Sequence, residues 1–169
     1  MSDTQTTRSV RIGIVQMQCS DDPGDNMEKA LRMTKDAAQQ GAEVICLPEL
    51  FRSRYFCQSE NDAHFALAEP IPGPSTAAFA EIAAVADVTI IASLFEKRAA
   101  GLYHNTTAVL DRKRGYIGKY RKMHIPDDPR YYEKYYFTPG DLGFQVFRTR
   151  PVELGVLVCW DQWYPEAAR

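Results

Sequence analysis

At 169 residues, with 45% hydrophobic and 25% charged content, the chain has the length and composition of a single globular domain with a core of its own. Its 20 basic and 22 acidic side chains leave a formal charge of −2, so no cationic excess exists to neutralise phosphates, and nucleic acid is excluded as an expected partner. No segment approaches the roughly 18 consecutive apolar residues of a membrane span, so no membrane association is expected and the cytoplasm is the expected location.

Residues 1–9 are polar, lack the apolar stretch of a secretion signal and are expected to be flexible. Val10 to Gln16 alternates like a strand. Asp21, Asp22, Pro23 and Gly24 then mark a turn, and Asp25 with Glu28 predicts a helix opened by a capping box with an acidic cap. Met27, Ala30, Leu31, Thr34, Ala37 and Ala38 share one face of that helix, and Gly41 supplies its stop. Val44 to Leu47 is a short apolar strand ending at Pro48-Glu49, which makes the opening a strand–helix–strand unit with parallel strands.

A stiff loop with Pro70, Pro72, Gly73 and Pro74 leads into an alanine-rich helix over Ser75 to Ala86. Val88 to Leu94 is a β-branched strand, and His104 to Asp111 with Tyr116 to Tyr120 predicts a hairpin. Residues 125–143, rich in proline and tyrosine, show no period; a loop of that length is expected to be functional, and its aromatics argue against disorder. Phe144 to Phe147 and Val152 to Val158 are the closing strands. The layout is one α/β domain over residues 1–169, and its last strand has no complete helix after it.

The four cysteines, Cys19, Cys46, Cys57 and Cys159, form no CxxC pair and no cluster with histidine. That points away from a zinc site and a disulfide framework, and fits a reduced compartment. Three chemical groups stand at strand ends: Glu49 after Val44 to Leu47, Lys122 after Tyr116 to Tyr120, and Cys159 after Val152 to Val158. Reactive groups of α/β proteins sit in the crevice outside strand ends, so the three can converge there. A thiol with a pKa of about 8.5 needs a base or a nearby cation to act as a nucleophile. Glu49 could take the proton, and Lys122 could stabilise the thiolate. Lys122 and the backbone N–H of Trp160 could then hold the oxyanion of a tetrahedral intermediate, each such donor being worth about 2.7–4 kcal/mol. Taken singly, each residue has a plainer reading: Cys159 as a small buried hydrophobe, Glu49 as a helix cap, Lys122 as a surface charge.

Leu47-Pro48-Glu49-Leu50, Tyr120-Arg121-Lys122-Met123-His124 and Cys159-Trp160-Asp161-Gln162-Trp163-Tyr164-Pro165-Glu166 resemble, in order, the three signature blocks of the nitrilase superfamily of carbon–nitrogen hydrolases. The resemblance runs from Val10 to the end. It implies an αββα sandwich in which Glu49, Lys122 and Cys159 are catalytic, with Glu133 in Tyr131-Tyr132-Glu133-Lys134-Tyr135 as a further orienting or proton-handling glutamate. It implies no metal and no organic cofactor, a small amide or ureide as the partner molecule, and a homo-oligomer for the complete protein.

Within that superfamily, Tyr55-Phe56-Cys57-Gln58, the stretch from His124 to Pro129 and Phe137-Thr138-Pro139-Gly140-Asp141 are similar to N-carbamoylputrescine amidohydrolases. The implied reaction splits a ureide into putrescine, carbon dioxide and ammonia, the chemistry of polyamine synthesis. Tyr55 and His124 are substrate-binding candidates, and Asp127, Asp128 and Glu60 are candidate anions for the distal ammonium. Rival readings are a β-ureidopropionase or ω-amidase, which prefer a carboxylate at that end, and a papain-like pairing of Cys159 with His124. Superfamily members run well beyond the nucleophile, so the domain is expected to be incomplete at its C-terminus. An uncovered apolar face would then favour aggregation, and an inactive truncated fragment is the non-catalytic alternative.

Overall fold

The computed structural model describes residues 9–150 and 152–169, so the expectation of flexibility at residues 1–9 falls, Ser9 apart, outside the described residues. β1 (Ile12–Ile14), α1 (Pro23–Gln39), β2 (Val44–Cys46), α2 (Pro74–Ala86) and β3 (Thr89–Ala99) follow one another, with β1, β2 and β3 paired in parallel. Parallel neighbours need a crossover, and α1 and α2 supply the two. β4 (Leu102–Asp111) and β5 (Gly115–Arg121) add on antiparallel, giving one five-stranded sheet in the order β1-β2-β3-β4-β5.

Strand alternation creates two cores. Ile90, Ala92 and Leu94 of β3, with Ala108 and Leu110 of β4, face a helical layer containing Ala30 of α1 and Phe79, Ile82 and Ala83 of α2. Val109 and Tyr120 face the other way, where Phe147, Val156 and Val158 cover them. The result is the helix-on-sheet half of the expected αββα sandwich. Among the described residues no helix is long and apolar enough to cross a membrane.

β1 is shorter than the expected Val10 to Gln16, β3 runs five residues past the expected end at Leu94, and the strand Val146–Arg148 is shifted from the expected Phe144 to Phe147. Three further departures have a plain physical reason. α1 opens at Pro23, ahead of the Asp25–Glu28 pair, because the cap is Asp22: its Oδ1 accepts from the N–H groups of Gly24 (2.6 Å) and Asp25 (3.2 Å). Pro23 suits that first position, since its missing N–H needs no partner there. The aperiodic stretch 125–143 contains a small hairpin, β6 (Asp127–Asp128) with β7 (Tyr131–Tyr132), followed by α3 (Glu133–Tyr136). The predicted strand Val152 to Val158 is shorter. β8 (Val146–Arg148) and β9 (Glu153–Gly155) form a separate antiparallel pair, and strand pairing stops at Gly155. Val156 and Val158 are buried by packing against the sheet rather than by a ladder, and the Val158 N–H goes to a carboxylate.

A buried ionic cluster stiffens the β3–β4–β5 face. Glu96, 1% exposed, accepts from Arg121 through Nε and one terminal nitrogen (2.8 Å each), from Lys119 and from the Thr106 hydroxyl. Burial pushes the Glu96 carboxyl up, but these donors outweigh it and hold the group down at about 2. A carboxyl whose folded pKa is depressed stabilises the fold fully above its unfolded value and loses that contribution as pH falls through the folded one. Glu96→Gln should therefore destabilise the protein by about 3 kcal/mol at pH 7, since it leaves buried cations short of a partner. The gap between variant and wild type should narrow as pH falls from 4.5, the carboxyl's ordinary value, toward 2. Denaturant unfolding of both proteins across that range checks it, and equal stabilities at pH 7 would contradict it.

Candidate active site

Glu49 leaves the sheet two residues after Leu47, whose N–H still bonds the Ile91 carbonyl (3.0 Å). The next residue, Leu50, has φ +52°, a left-handed conformation uncommon outside glycine. Its N–H donates to Ser93 Oγ (3.2 Å), and Ser93 Oγ in turn lies 3.5 Å from Asn105 Oδ1. With its oxygen turned to Ser93, Asn105 directs Nδ2 at Glu49 Oε1 (2.7 Å). Residues from β3 and β4 thus fix where the Glu49 carboxylate points.

Lys122 follows β5 directly. Its N–H donates to the Asn105 carbonyl (2.9 Å), and its own carbonyl accepts from the Gly140 N–H (2.8 Å). That second contact demands glycine, because a Cβ at Gly140 would lie 2.0 Å from the Arg121 carbonyl oxygen. The Lys122 side chain is fully buried, and Nζ donates to Glu49 Oε1 (2.9 Å) and Glu133 Oε2 (2.7 Å). Glu133, also buried, opens α3 and accepts from the Tyr55 hydroxyl through Oε1 (2.8 Å).

Burial pushes the Lys122 ammonium down, but the Glu49 and Glu133 carboxylates outweigh it and the net shift is upward. Burial pushes the Glu133 carboxyl up, opposed by Lys122. Tyr55 is raised by burial and by the Glu133 charge, so its phenol stays a donor.

Cys159 has φ +45° and opens a short 3₁₀ turn, Cys159–Trp163. With Glu49, Cys46, Ser93 and Thr107 it lines a cleft of about 300 Å³. Partial desolvation raises the thiol, Glu49 adds to the rise, and Lys122 only partly offsets them. Lys122 thus acts toward the thiolate as expected, but burial, the largest influence, and Glu49 outweigh it, so the protonated thiol is favoured. A larger hollow of about 540 Å³ lies between α1 and α2, with Lys35, Gln39 and Glu81 at its rim, away from these groups.

Glu49, Lys122, Glu133 and Tyr55 meet through direct bonds, and Cys159 shares the Glu49 cleft. The Trp160 backbone N–H precedes the turn's first internal bond, from the Asp161 N–H to the Val158 carbonyl (3.0 Å), so the turn itself offers it no acceptor. His124 does not join the Cys159 cleft lining; its Nδ1 lies 2.7 Å from Asp161 Oδ1 and its ring stacks on Tyr164. Asp127 and Asp128 are exposed on the β6–β7 hairpin, whose return strand runs into Glu133, and among the described residues neither bonds the cluster. Glu60 is exposed as well. Sequence reasoning missed Asn105 and Ser93; both are buried polar residues within strands, and neither carries a local signal that sets it apart from the other polar residues of β3 and β4. Among the described residues no group of three or more His, Cys, Asp or Glu could hold a metal ion.

Comparison with known proteins gives a match of residues 11–169 to the carbon–nitrogen hydrolase family model. N-carbamoylputrescine amidase of Solanum lycopersicum is 43% identical over 166 residues, covering 98% of this chain and 55% of that protein. Citrullinase of Francisella tularensis is 39% identical over 162 residues, covering 95% and 56%. The crystal structure of a carbon–nitrogen hydrolase from Helicobacter pylori G27 superposes with a TM-score of 0.89 at 46% identity, covering 95% of this chain and 55% of that one. The chain therefore spans a little over half the length of the relatives it matches.

The charge balance at the cleft makes a prediction independent of turnover. Removing the negative charge in Glu49→Gln should lower the pKa of the Cys159 thiol, and Lys122→Gln should raise it. Iodoacetamide labelling of Cys159 as a function of pH reads both. A midpoint at or below that of a free thiol in the wild type, or shifts of the opposite sign, would refute the balance described.

Proposed function

Because the chain belongs to the carbon–nitrogen hydrolase family, we propose that it carries the catalytic groups of a cysteine hydrolase that splits a ureide, N-carbamoylputrescine being the best-supported substrate. The observation that carries the reading is the buried Lys122 ammonium bonded to both Glu49 and Glu133, at the edge of the cleft that Cys159 shares with Glu49.

In this reading Cys159 is the nucleophile and Glu49 the base. The thiol is held protonated, so attack requires Glu49 to take the S–H proton as sulfur reaches the carbamoyl carbon. An ammonium has three donors, and two of those on Lys122 are committed to carboxylates. The third, with the Trp160 N–H, would hold the oxygen that becomes negative in the tetrahedral intermediate. Glu49 returns its proton to the departing ammonia, leaving a thiocarbamate on Cys159. Glu49 then takes a proton from water, which attacks the same carbon and displaces the sulfur, and Glu49 passes that proton to the departing thiolate to restore the Cys159 thiol. The released carbamic acid loses carbon dioxide. Glu133, sealed behind Lys122, sets that ammonium in place, and Tyr55 fixes Glu133 rather than touching substrate.

The ureide class is supported by the two relatives' names: carbamoylputrescine and citrulline both end in a carbamoylated amine. An ω-amidase of Homo sapiens is less similar, at 32% identity. The test uses the protein made from the complete reading frame that carries these residues. Ammonia release should be faster from N-carbamoylputrescine than from N-carbamoyl-β-alanine, and the reverse order would overturn the substrate choice. Glu49→Gln should lower kcat by about 10²–10⁴-fold, the usual contribution of a positioned base. A Glu49→Gln variant with wild-type turnover would pass the base role to another group.

A further inference from the structure

The carboxylate of Asp161 is fully buried two residues after Cys159, and four donors saturate it. Oδ2 accepts from the Tyr120 hydroxyl (2.7 Å) and the Val158 N–H (3.0 Å). Oδ1 accepts from the His124 N–H (3.0 Å) and lies 2.7 Å from His124 Nδ1. An ionised carboxylate only accepts, so Nδ1 carries the imidazole proton and His124 serves here as a donor. Tyr120 belongs to β5, and His124 lies two residues beyond Lys122. The Asp161 carboxylate therefore bridges the residue before the nucleophile to the strand that delivers the ammonium.

Cys159 has left-handed backbone angles without being glycine. Such a conformation costs about 1–3 kcal/mol and persists only where its surroundings over-determine it. Asp161 supplies that determination from both sides of the turn: its N–H closes on the Val158 carbonyl, and its side chain returns to the Val158 N–H.

We propose that Asp161 is the positioning residue of the nucleophile, its carboxylate locking the Cys159 turn onto Tyr120 and His124 so that the thiol stands beside Glu49 and Lys122. The assignment rests on the reading of Cys159 as the nucleophile. It gives His124 the role of an anchor for Asp161, in place of a base for Cys159.

Asp161→Asn tests it with little change of shape. Each carboxylate oxygen takes one backbone N–H, from Val158 and from His124, so whichever way the amide turns one of them loses its acceptor. In the protein made from the complete reading frame, kcat for a ureide should fall about 100-fold with KM within about threefold, as expected for a misplaced reacting atom at an intact binding site. Labelling of Cys159 by iodoacetamide should change with it. His124→Ala should show a similar kcat loss, and His124→Asn, whose amide N–H₂ can occupy the place of Nδ1, should restore most of it.

If Asp161→Asn does not fold, Tyr120→Phe decides, because it removes one of the four bonds and keeps the buried ring. A kcat loss of about 10-fold at unchanged KM would support the assignment. Wild-type kcat in whichever of Asp161→Asn and Tyr120→Phe is read, or His124→Asn no better than His124→Ala, would overturn it. A wild type that neither turns over a ureide nor reacts at Cys159 would overturn the nucleophile reading and this proposal together. An active, reactive wild type beside an equally active Asp161→Asn would overturn this proposal alone.

Discussion

The ammonium of Lys122, fully buried between two carboxylates, is the constraint around which the cleft is arranged. A lone buried ammonium would carry a desolvation cost of several kcal/mol, so Glu49 and Glu133 must be held where they can meet it. Each has its own support: Asn105 donates to Glu49, and Tyr55 donates to Glu133. The backbone is committed as well, through Asn105 on one side of Lys122 and Gly140 on the other. The same groups bear on the thiol: burial, the largest influence at Cys159, favours the protonated form, Glu49 adds to it, and Lys122 opposes it.

Strain marks the two places where the chain turns a proposed reacting group into the cleft. Leu50, immediately after Glu49, and Cys159 itself are both left-handed without being glycine. Each is held by a buried polar side chain, Ser93 Oγ on the Leu50 N–H and Asp161 on the Val158 N–H. Strand geometry delivers Glu49 and Lys122 to the sheet edge; these local bonds then set the angle at which the backbone leaves it. The ionic cluster on Glu96 lies nearby in β3 to β5, so the strands carrying Asn105 and Lys122 are tied to one another before the site begins.

Glu49, Lys122 and Cys159 were legible as candidates because each follows a predicted strand, and three motif blocks in order removed most of the ambiguity of any one. Glu133 came from resemblance alone, since nothing in residues 125–143 announces a buried glutamate. Asn105, Ser93 and Asp161 act through their partners, and a partner 56, 43 or 41 residues away leaves no local period. The strand predicted over Val152 to Val158 failed past Gly155 for a definite reason: Val156 and Val158 alternate inward as in a strand, yet they are buried by packing against Tyr120 and Val109. Apolar alternation reports burial on one side and is silent about where the backbone hydrogen bonds go. The cap of α1 shows the same limit, because Asp22 and Asp25 have equal claims until the position of Pro23 decides between them.

Access, more than intrinsic basicity, separates the two carboxylates in the proposed reaction. The Glu49 side chain keeps 25% of its surface open at the cleft, whereas that of Glu133 keeps 1%. A group that must receive a proton from sulfur, pass it to departing ammonia and then draw one from water has to meet all three, and only the open carboxylate can. Glu133 bonds Lys122 and Tyr55 instead, and its raised pKa reflects burial rather than contact with a reacting proton. His124 fails the same requirement in a different way. Its Nδ1 is engaged with Asp161 Oδ1 and its ring is stacked on Tyr164, an arrangement that ties the histidine to the turn carrying Cys159 and, in the proposed reaction, leaves proton transfer to Glu49.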